Sequence, residues 1–234
     1  IQAALYCDLS DPSGQYCWRH WDCMRIESIN VGRVETVRRG DKAMQTGICK
    51  QPVTGPVQIG VDGIPGDAIV STEHHGGPDQ AIYAYSSDDY DWWAESLGRD
   101  VFPGLFGENL TIRDLPSDMT IGDRLLIGEV VLEATAPRIP CDTFAARMDD
   151  AGFGLLFRRA ERPGVYFRVL NEGEVRAGDS AMLVQCDEHD VTVLDLFRYK
   201  FSLRPTADEL RRLLDAPIAE RFRIAIENTL DSLP

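Results

Sequence analysis

The stretch DRLLIGEVVLEAT, residues 123–135, decides the fold class of this chain. Leucine, isoleucine and valine surround a single glycine, Gly128, at which the run can fold back on itself. The pattern therefore predicts a β-hairpin. Strand-like runs broken by glycine and proline turns continue on both sides, from Met24 to about Gln185. Together they predict a mainly β protein, a distorted barrel or folded sheet with short helices inserted.

Further strands are expected on either side of this hairpin. The alternation in MRIESINVGRVETV (24–37) predicts one strand, and QAIYAY (80–85) predicts another. GVYFRVLNEGEVRAGDSAMLV (164–184) predicts a second hairpin that turns at residues 171–173. Helices are expected after the caps Ser86 and Ser87, ending at Gly98, then at about 142–148 and near 154–159.

The character of the sequence changes after Cys186. The segments 191–200, 206–216 and 217–230 have helical periodicity; the second opens with a capping box from Thr206 to Glu209, and the third has Pro217 in its first turn. We therefore predict a barrel domain over 24–187 and a small three-helix domain over 188–234. Residues 1–23 precede the first methionine and are expected to be an upstream extension, an artificial remnant or a misread start.

Composition excludes several classes of partner. The formal net charge is −14 and the pI is about 4.7, which argues against a nucleic-acid binder. No apolar run is long enough to span a bilayer, and no signal-peptide pattern is visible. The six cysteines form no CxxC pair, which favours reduced thiols and a cytoplasmic location. Cys17, His20 and Cys23 have zinc-like spacing, but a fourth ligand at a matching spacing is needed and Cys7 is its only nearby candidate, so a metal site is the less favoured interpretation.

The segment APRIPCDTF (136–144) carries the most specific chemistry. Pro137 and Pro140 stiffen the loop that leaves the predicted strand, and a helix is expected to begin at about Asp142. Cys141 would then lie beside a helix N-terminus, with Arg138 nearby, and both features favour a thiolate. The competing interpretation is a buried structural cysteine.

Other candidate site residues are of types that bind anions, carbonyl groups or cations. Taken alone, each of them is better explained by a surface turn, a cap, a solvated side chain or an outward-pointing arginine. No G-x-S-x-G, P-loop, H-E-x-x-H or dinucleotide motif is present. The candidates are Lys50 in GICKQPV, His75, Gly76 and Gly77 in EHHGGPDQ, Glu108 and Asn109 in FGENLT, and Arg168 in GVYFRVL.

In this order, the stretches resemble the MOSC family, named after the C-terminal domain of molybdenum-cofactor sulfurase, and its YiiM-like branch in particular. The similar segments are CKQPV, GIPGD, HHGGPDQAIYAY, WWAESLG, LFGENLT, IGDRL, PRIPC, GVYFRVLNEGEVRAGD and DVTVLDLFRY. The resemblance implies a distorted β-barrel with a small three-helix domain at its C-terminus, and it covers the chain from about Met24 onward.

The resemblance also implies an activity. In the family, a cysteine at the position of Cys141 ligates the molybdenum of a pterin cofactor or carries sulfur for it, and related reductases remove oxygen from N-hydroxylated compounds. Electrons come from a separate flavin or iron–sulfur protein. A soft thiolate suits such a metal centre. Lys50, Gly76, Gly77, Arg138 and Arg168 are the types that bind the cofactor's phosphate.

The remaining roles are guesses within this resemblance. Asn109 could bond the pterin edge, Glu108 could hold a cation or orient His75, and His75 could bind an anion and donate a proton to the substrate. The expected partners are a small N-hydroxylated substrate and the electron donor, without nucleic acid or membrane; a homodimer is left open.

Two alternatives stay open at this point. The protein could carry persulfide sulfur or the cofactor on Cys141 without being an enzyme. It could also be a binding module whose helical tail, residues 190–234, docks a partner.

Overall fold

The computed structural model describes residues 24–72 and 76–233. Its strands are β1 (Arg25–Val31), β2 (Glu35–Arg39), β3 (Lys42–Thr46), β4 (Gln51–Pro52), β5 (Val57–Ile59), β6 (Ile82–Ser86), β7 (Leu110–Arg113), β8 (Arg124–Ile127), β9 (Val130–Pro137), β10 (Val165–Asn171), β11 (Gly173–Val175) and β12 (Met182–Val184). Its α-helices are α1 (Asp89–Leu97), α2 (Asp142–Met148), α3 (Phe153–Ala160), α4 (Val193–Lys200), α5 (Ala207–Leu214) and α6 (Glu220–Asp231).

Eight strands form one mixed sheet in the order β12-β8-β9-β10-β6-β7-β1-β4, in which only β6 and β7 are parallel. The sheet curls back on itself. Residues 178–181, just before β12, exchange backbone hydrogen bonds with Met24 and Ile26 at the start of β1. The mainly β, barrel-like prediction with inserted helices is confirmed.

The hairpin predicted around Gly128 is present. β8 and β9 pair antiparallel from Arg124 with Glu133 to Ile127 with Val130, and they turn at Gly128. The single strand predicted over 24–37 is wrong, because the chain leaves the sheet at residues 32–34 and begins again as β2. A bulge after Ile26 also shifts the register, so Ile26 and Ile29 are both buried although they lie three residues apart.

The second predicted hairpin, at residues 171–173, is also wrong. β11 does not fold back on β10; it pairs with β5, from Gly173 with Ile59 to Val175 with Val57. β10 instead lies between β6 and β9. The predicted turn coincides with the break between β10 and β11, but the strand that pairs with β11 comes from more than a hundred residues earlier in the chain, where no local signal could indicate it.

Helices α1 to α3 cover one side of the barrel with a cluster of buried aromatic rings. Trp93 of α1 contacts Phe153 and Phe157 of α3, and Phe144 of α2 contacts both phenylalanines. Helix α1 ends at Gly98, as predicted, but Asp88 is its N-cap, since Ser86 still belongs to β6. The packing of α2 fixes the direction in which the chain leaves β9.

Helices α4 to α6 pack against the barrel through the same continuous apolar core. The predicted capping box at Thr206 and Glu209 is present. Pro217 is not in the first turn of α6, which starts at Glu220; the proline lies in the preceding loop. The domain boundary near residue 187 stays a prediction. Over the described ranges, no helix has the length and apolar character needed to cross a membrane.

Candidate functional site

Two joined chambers open at the end of β9. The inner chamber, of about 100 Å³, lies among the loops after β3, β5 and β6 and against the end of β9. The outer chamber, of about 490 Å³, is bounded on one side by α4 and α6. Five residues line both chambers: Ser71, Gln80, Cys141, Thr143 and Tyr166. A ligand in the outer chamber can therefore reach the entrance of the inner one.

Cys141 lies where the two chambers meet. It follows the stiff segment that ends in Pro140 and is the N-cap residue of α2, with an extended backbone (φ −134°, ψ 172°). Its carbonyl oxygen accepts the Ala145 N–H at 3.1 Å. The residue is half-buried and its thiol is free. The predicted position at a helix start is confirmed, and the side chain is available to a ligand.

Arg138 is the buried cation of the inner chamber. Its guanidinium stacks on the rings of Tyr83 and Phe144, at 5.2 and 4.4 Å from their centroids, and Nη1 donates to the Tyr166 hydroxyl at 3.3 Å. Nε has no acceptor, and no carboxylate of the described ranges forms an ion pair with the group. Because a buried charge is costly unless it is paired, this arrangement suits an anionic ligand.

Lys50, by contrast, is already neutralised. Its ammonium donates to Asp67, whose carboxylate also accepts the Gly32 N–H at 2.7 Å and the Asn109 side-chain amide at 2.9 Å. Burial lowers the pKa of Lys50, and the neighbouring Asp67 opposes that shift. The side-chain oxygen of Asn109, Oδ1, accepts the backbone N–H of Tyr83 at 3.2 Å. Lys50 and Asn109 both line the inner chamber, but their polar groups are already hydrogen-bonded within this buried network.

Glu108 lies behind the inner chamber and lines neither chamber. One carboxylate oxygen accepts the Gly104 N–H at 2.6 Å, the Thr111 hydroxyl at 3.1 Å and the Tyr90 hydroxyl. The other oxygen has no partner among the described groups. Complete burial raises the pKa of Glu108. Its visible role is to hold the loop that carries Gly107 and Asn109.

Arg168, like Glu108, lines neither chamber. Its guanidinium contacts Asp79 at 3.0 Å and Glu133 at 3.5 Å, and it donates to the Pro217 carbonyl at 3.1 Å. Two residues earlier on β10, Tyr166 does line both chambers. Beyond that point the loop before α6 covers the strand, so Arg168 fastens the helices to the barrel and does not line a ligand site.

The glycine pair behaves as its sequence suggests. Gly76 and Gly77 have φ of 71° and 81°, in the region that favours glycine. Gly76 lines the inner chamber, and a Cβ there would lie 2.8 Å from Ile69 Cδ1. Gly77 begins the short 3-10 helix Pro78–Gln80. His75 lies outside the described residues, so its predicted contact with an anion and its role as a proton donor stay predictions, as does the less favoured zinc site at 17–23.

Sequence reasoning missed three residues of the site: Asp67, Tyr83 and Tyr166. Asp67 follows the turn glycine in GIPGD, where it resembles an ordinary turn residue. The tyrosines stand in QAIYAY and GVYFRVL and are paired across β6 and β10. Alternation along either strand indicates a buried ring, but only the pairing of the strands indicates that both rings flank Arg138.

No group of three or more His, Cys, Asp and Glu side chains within 24–72 and 76–233 is arranged to hold a metal ion. Among the described residues, Cys141 is the one cysteine that lines either chamber, and no described histidine lines them. The site thus combines a half-buried thiol at the junction of two chambers with a buried guanidinium that forms no ion pair in the described residues, an arrangement that suits a small anionic ligand.

Comparison with known proteins identifies the family. A model of the MOSC domain matches residues 71–181. The uncharacterized protein YflK of Bacillus subtilis is 31% identical over 210 residues, which cover 89% of this chain and 95% of YflK. The chain belongs to the MOSC domain family.

Two further relatives bear on structure and function. The crystal structure of YiiM from Geobacillus stearothermophilus superposes with a TM-score of 0.74 at 27% identity and covers 89% of this chain and 100% of that one. A protein of Gibberella moniliformis named as a reductase is 29% identical over 211 residues, which span 88% of this chain but 37% of the reductase.

Proposed function

We propose that the protein binds a molybdenum–pterin cofactor through Cys141 and reduces N-hydroxylated compounds to amines, with electrons from a flavin or iron–sulfur partner protein. The observation that carries the proposal is that Cys141 and Arg138 line the same chamber. Cys141 supplies a soft donor for the metal, and Arg138 supplies a buried positive charge that has no carboxylate within ion-pair distance in the described chain.

The residues present fit such a group. Arg138 would bind an anionic part of the cofactor with its spare donors, and Cys141 would bind the metal as thiolate. Gly107 allows close approach beside the guanidinium, because a Cβ there would lie 3.6 Å from Arg138 Nη1. Membership of the MOSC family and the similarity to a named reductase support the proposal.

The reaction consumes two electrons and two protons: R–NH–OH + 2 e⁻ + 2 H⁺ gives R–NH2 + H2O. When bound, the molybdenum centre supplies a two-electron couple that can take oxygen from the substrate. Tyr166 can orient the substrate, because its oxygen accepts from Arg138 and no described group accepts the proton of its hydroxyl. Burial raises the pKa of Tyr166, so the hydroxyl keeps its proton near neutral pH. His75 remains the predicted proton donor.

A second candidate function is that of a sulfur or cofactor carrier. Cys141 lines the outer chamber as well as the inner one, so the sulfur is open to a partner that enters from outside. In this case Cys141 would hold a persulfide, or would hold the cofactor only for transfer to another protein.

The test is an anaerobic reductase assay. Protein made in a host that synthesises the cofactor is mixed with an N-hydroxylated purine base and reduced viologen dye, which replaces the partner protein. Wild type and the control Cys186→Ser should release amine, and Cys141→Ser should not. Cys186 is a suitable control because its thiol is equally half-buried and lines neither chamber. Cofactor-loaded wild type without amine release would favour the carrier function.

A further inference from the structure

The distribution of lysine in this chain is uneven. Of its 24 basic lysine and arginine residues, three are lysines: Lys42, Lys50 and Lys200. All three line the cleft that the two joined chambers form: Lys50 lines the inner chamber, and Lys42 and Lys200 line the outer one. Arginine makes the ion pairs elsewhere on the described surface. Lysine is a compact point charge that often binds phosphate, so its restriction to the cleft indicates a ligand.

Distant elements bring the two outer lysines to one chamber. Lys42 begins β3, and the β2–β3 hairpin is held against α2 by the ion pair between Arg39 and Asp142 at 2.5 Å. Lys200 ends α4 in the C-terminal helical region. No described carboxylate forms an ion pair with either ammonium group. The outer chamber thus receives one free cation from the barrel and one from the helices.

The charge of the outer chamber is opposite to that of the protein. Among residues 24–72 and 76–233, its lining includes the cations Lys42, Lys200 and Arg221 and one carboxylate, Asp142, which forms an ion pair with Arg39. Arg221 also fixes the wall, since it donates to the Gln80 side chain at 2.8 Å. The chain as a whole carries a net charge of −14. A positively charged cleft raises the local concentration of small anions, even when the protein as a whole is acidic.

The other walls of the outer chamber are apolar. Ile139, Pro140, Tyr199 and Phe222 line it, and they offer surfaces on which a planar ring can pack. Its volume of about 490 Å³ is in the range of small-ligand sites. We propose that the outer chamber binds a nucleoside monophosphate, with the phosphate between Lys42 and Lys200 and the base directed towards Cys141.

This inference rests on the proposed function in one respect: if the protein is a reductase, its substrate is an N-hydroxylated nucleotide and not the free base. The binding itself can be tested without turnover. Cofactor-loaded protein is titrated with adenosine 5′-monophosphate and, separately, with adenosine. The variants are Lys42→Gln and Lys200→Gln. The matched control is Arg204→Gln, which removes an exposed charge from the α4–α5 loop outside both chambers.

A second readout uses the scarcity of lysine. Reductive methylation followed by peptide mass spectrometry reports the accessibility of Lys42 and Lys200 separately. The monophosphate should slow methylation of both, and adenosine should slow neither. Each lysine variant should weaken monophosphate binding roughly fivefold, while Arg204→Gln leaves it unchanged. Added salt should reduce the difference between monophosphate and adenosine.

Equal affinity for the monophosphate and adenosine would overturn the inference. So would a loss of molybdenum from both lysine variants, because the two charges would then belong to the cofactor's own phosphate. A failure of reductase activity with lysine protection intact would count against the proposed function and leave the nucleotide site standing.

Discussion

Replacing Arg138 by methionine should separate stability from ligand binding. The arginine gains two ring contacts, worth about 0.5–2 kcal/mol each, and one long hydrogen bond worth about 1 kcal/mol. Against this stands the desolvation of a buried cation, which costs several kcal/mol when no counter-ion is present. Methionine recovers part of the packing. Cofactor-free Arg138→Met should therefore lose no more than about 1 kcal/mol of unfolding free energy, or gain some.

The assay is urea unfolding of protein made in a host that lacks the cofactor, followed by the fluorescence of tryptophans such as the buried Trp93. Arg168→Met is the matched control, because that guanidinium is paired with Asp79 and Glu133 and should cost about 2–3 kcal/mol. In a host that makes the cofactor, Arg138→Met should contain much less molybdenum than wild type. A loss above about 3 kcal/mol without cofactor would refute the reasoning, since Arg138 would then already have its partner.

Three further changes test the rest of the site. Asp67→Asn leaves the buried Lys50 ammonium without its counter-ion and should cost about 3 kcal/mol of unfolding free energy, measured by urea titration; a loss below about 1 kcal/mol would contradict the buried pair. Gly107→Ala should lower both the unfolding free energy and the molybdenum content, because φ is +76° and the new Cβ would lie 2.8 Å from Ile48 Cγ1. Wild-type values of both would contradict the role of Gly107 in allowing a ligand to approach Arg138 closely. Burial raises the pKa of Glu108, so the folded state holds this proton more tightly, and the stability that this group contributes should fall as pH rises above about 4.5; Glu108→Gln should lessen the fall of unfolding free energy with rising pH in urea titrations, and identical slopes would contradict the assignment.

Local signals in the sequence predicted the elements that depend on a few neighbouring residues. The β8–β9 hairpin needed only Gly128 between two apolar runs, and α5 needed only Thr206 and Glu209. The start of α2 beside Cys141 followed from the two prolines before it. In each case the physical cause lies within one turn or one hairpin, where no distant part of the chain competes.

The failures come from partners that are distant in sequence. β11 pairs with β5 because the curled sheet brings them together, and nothing near residue 173 records this. Arg168 has the same strand setting as a pocket residue, but the loop before α6 covers it. Asp67 is a turn residue by its local sequence and becomes the counter-ion of Lys50 only in the folded chain. In these three cases the contacts of a residue depend on how distant strands and helices pack together, which the local sequence does not record.

The central claim is that Cys141 ligates the molybdenum of a bound cofactor. Elemental analysis of wild type, Cys141→Ser and Cys186→Ser, all made in a cofactor-synthesising host and purified without air, tests it most directly. We predict near-stoichiometric molybdenum in wild type and in Cys186→Ser, and its loss in Cys141→Ser. Equal molybdenum in all three proteins would show that another group binds the metal, and no molybdenum in any of them would contradict the account.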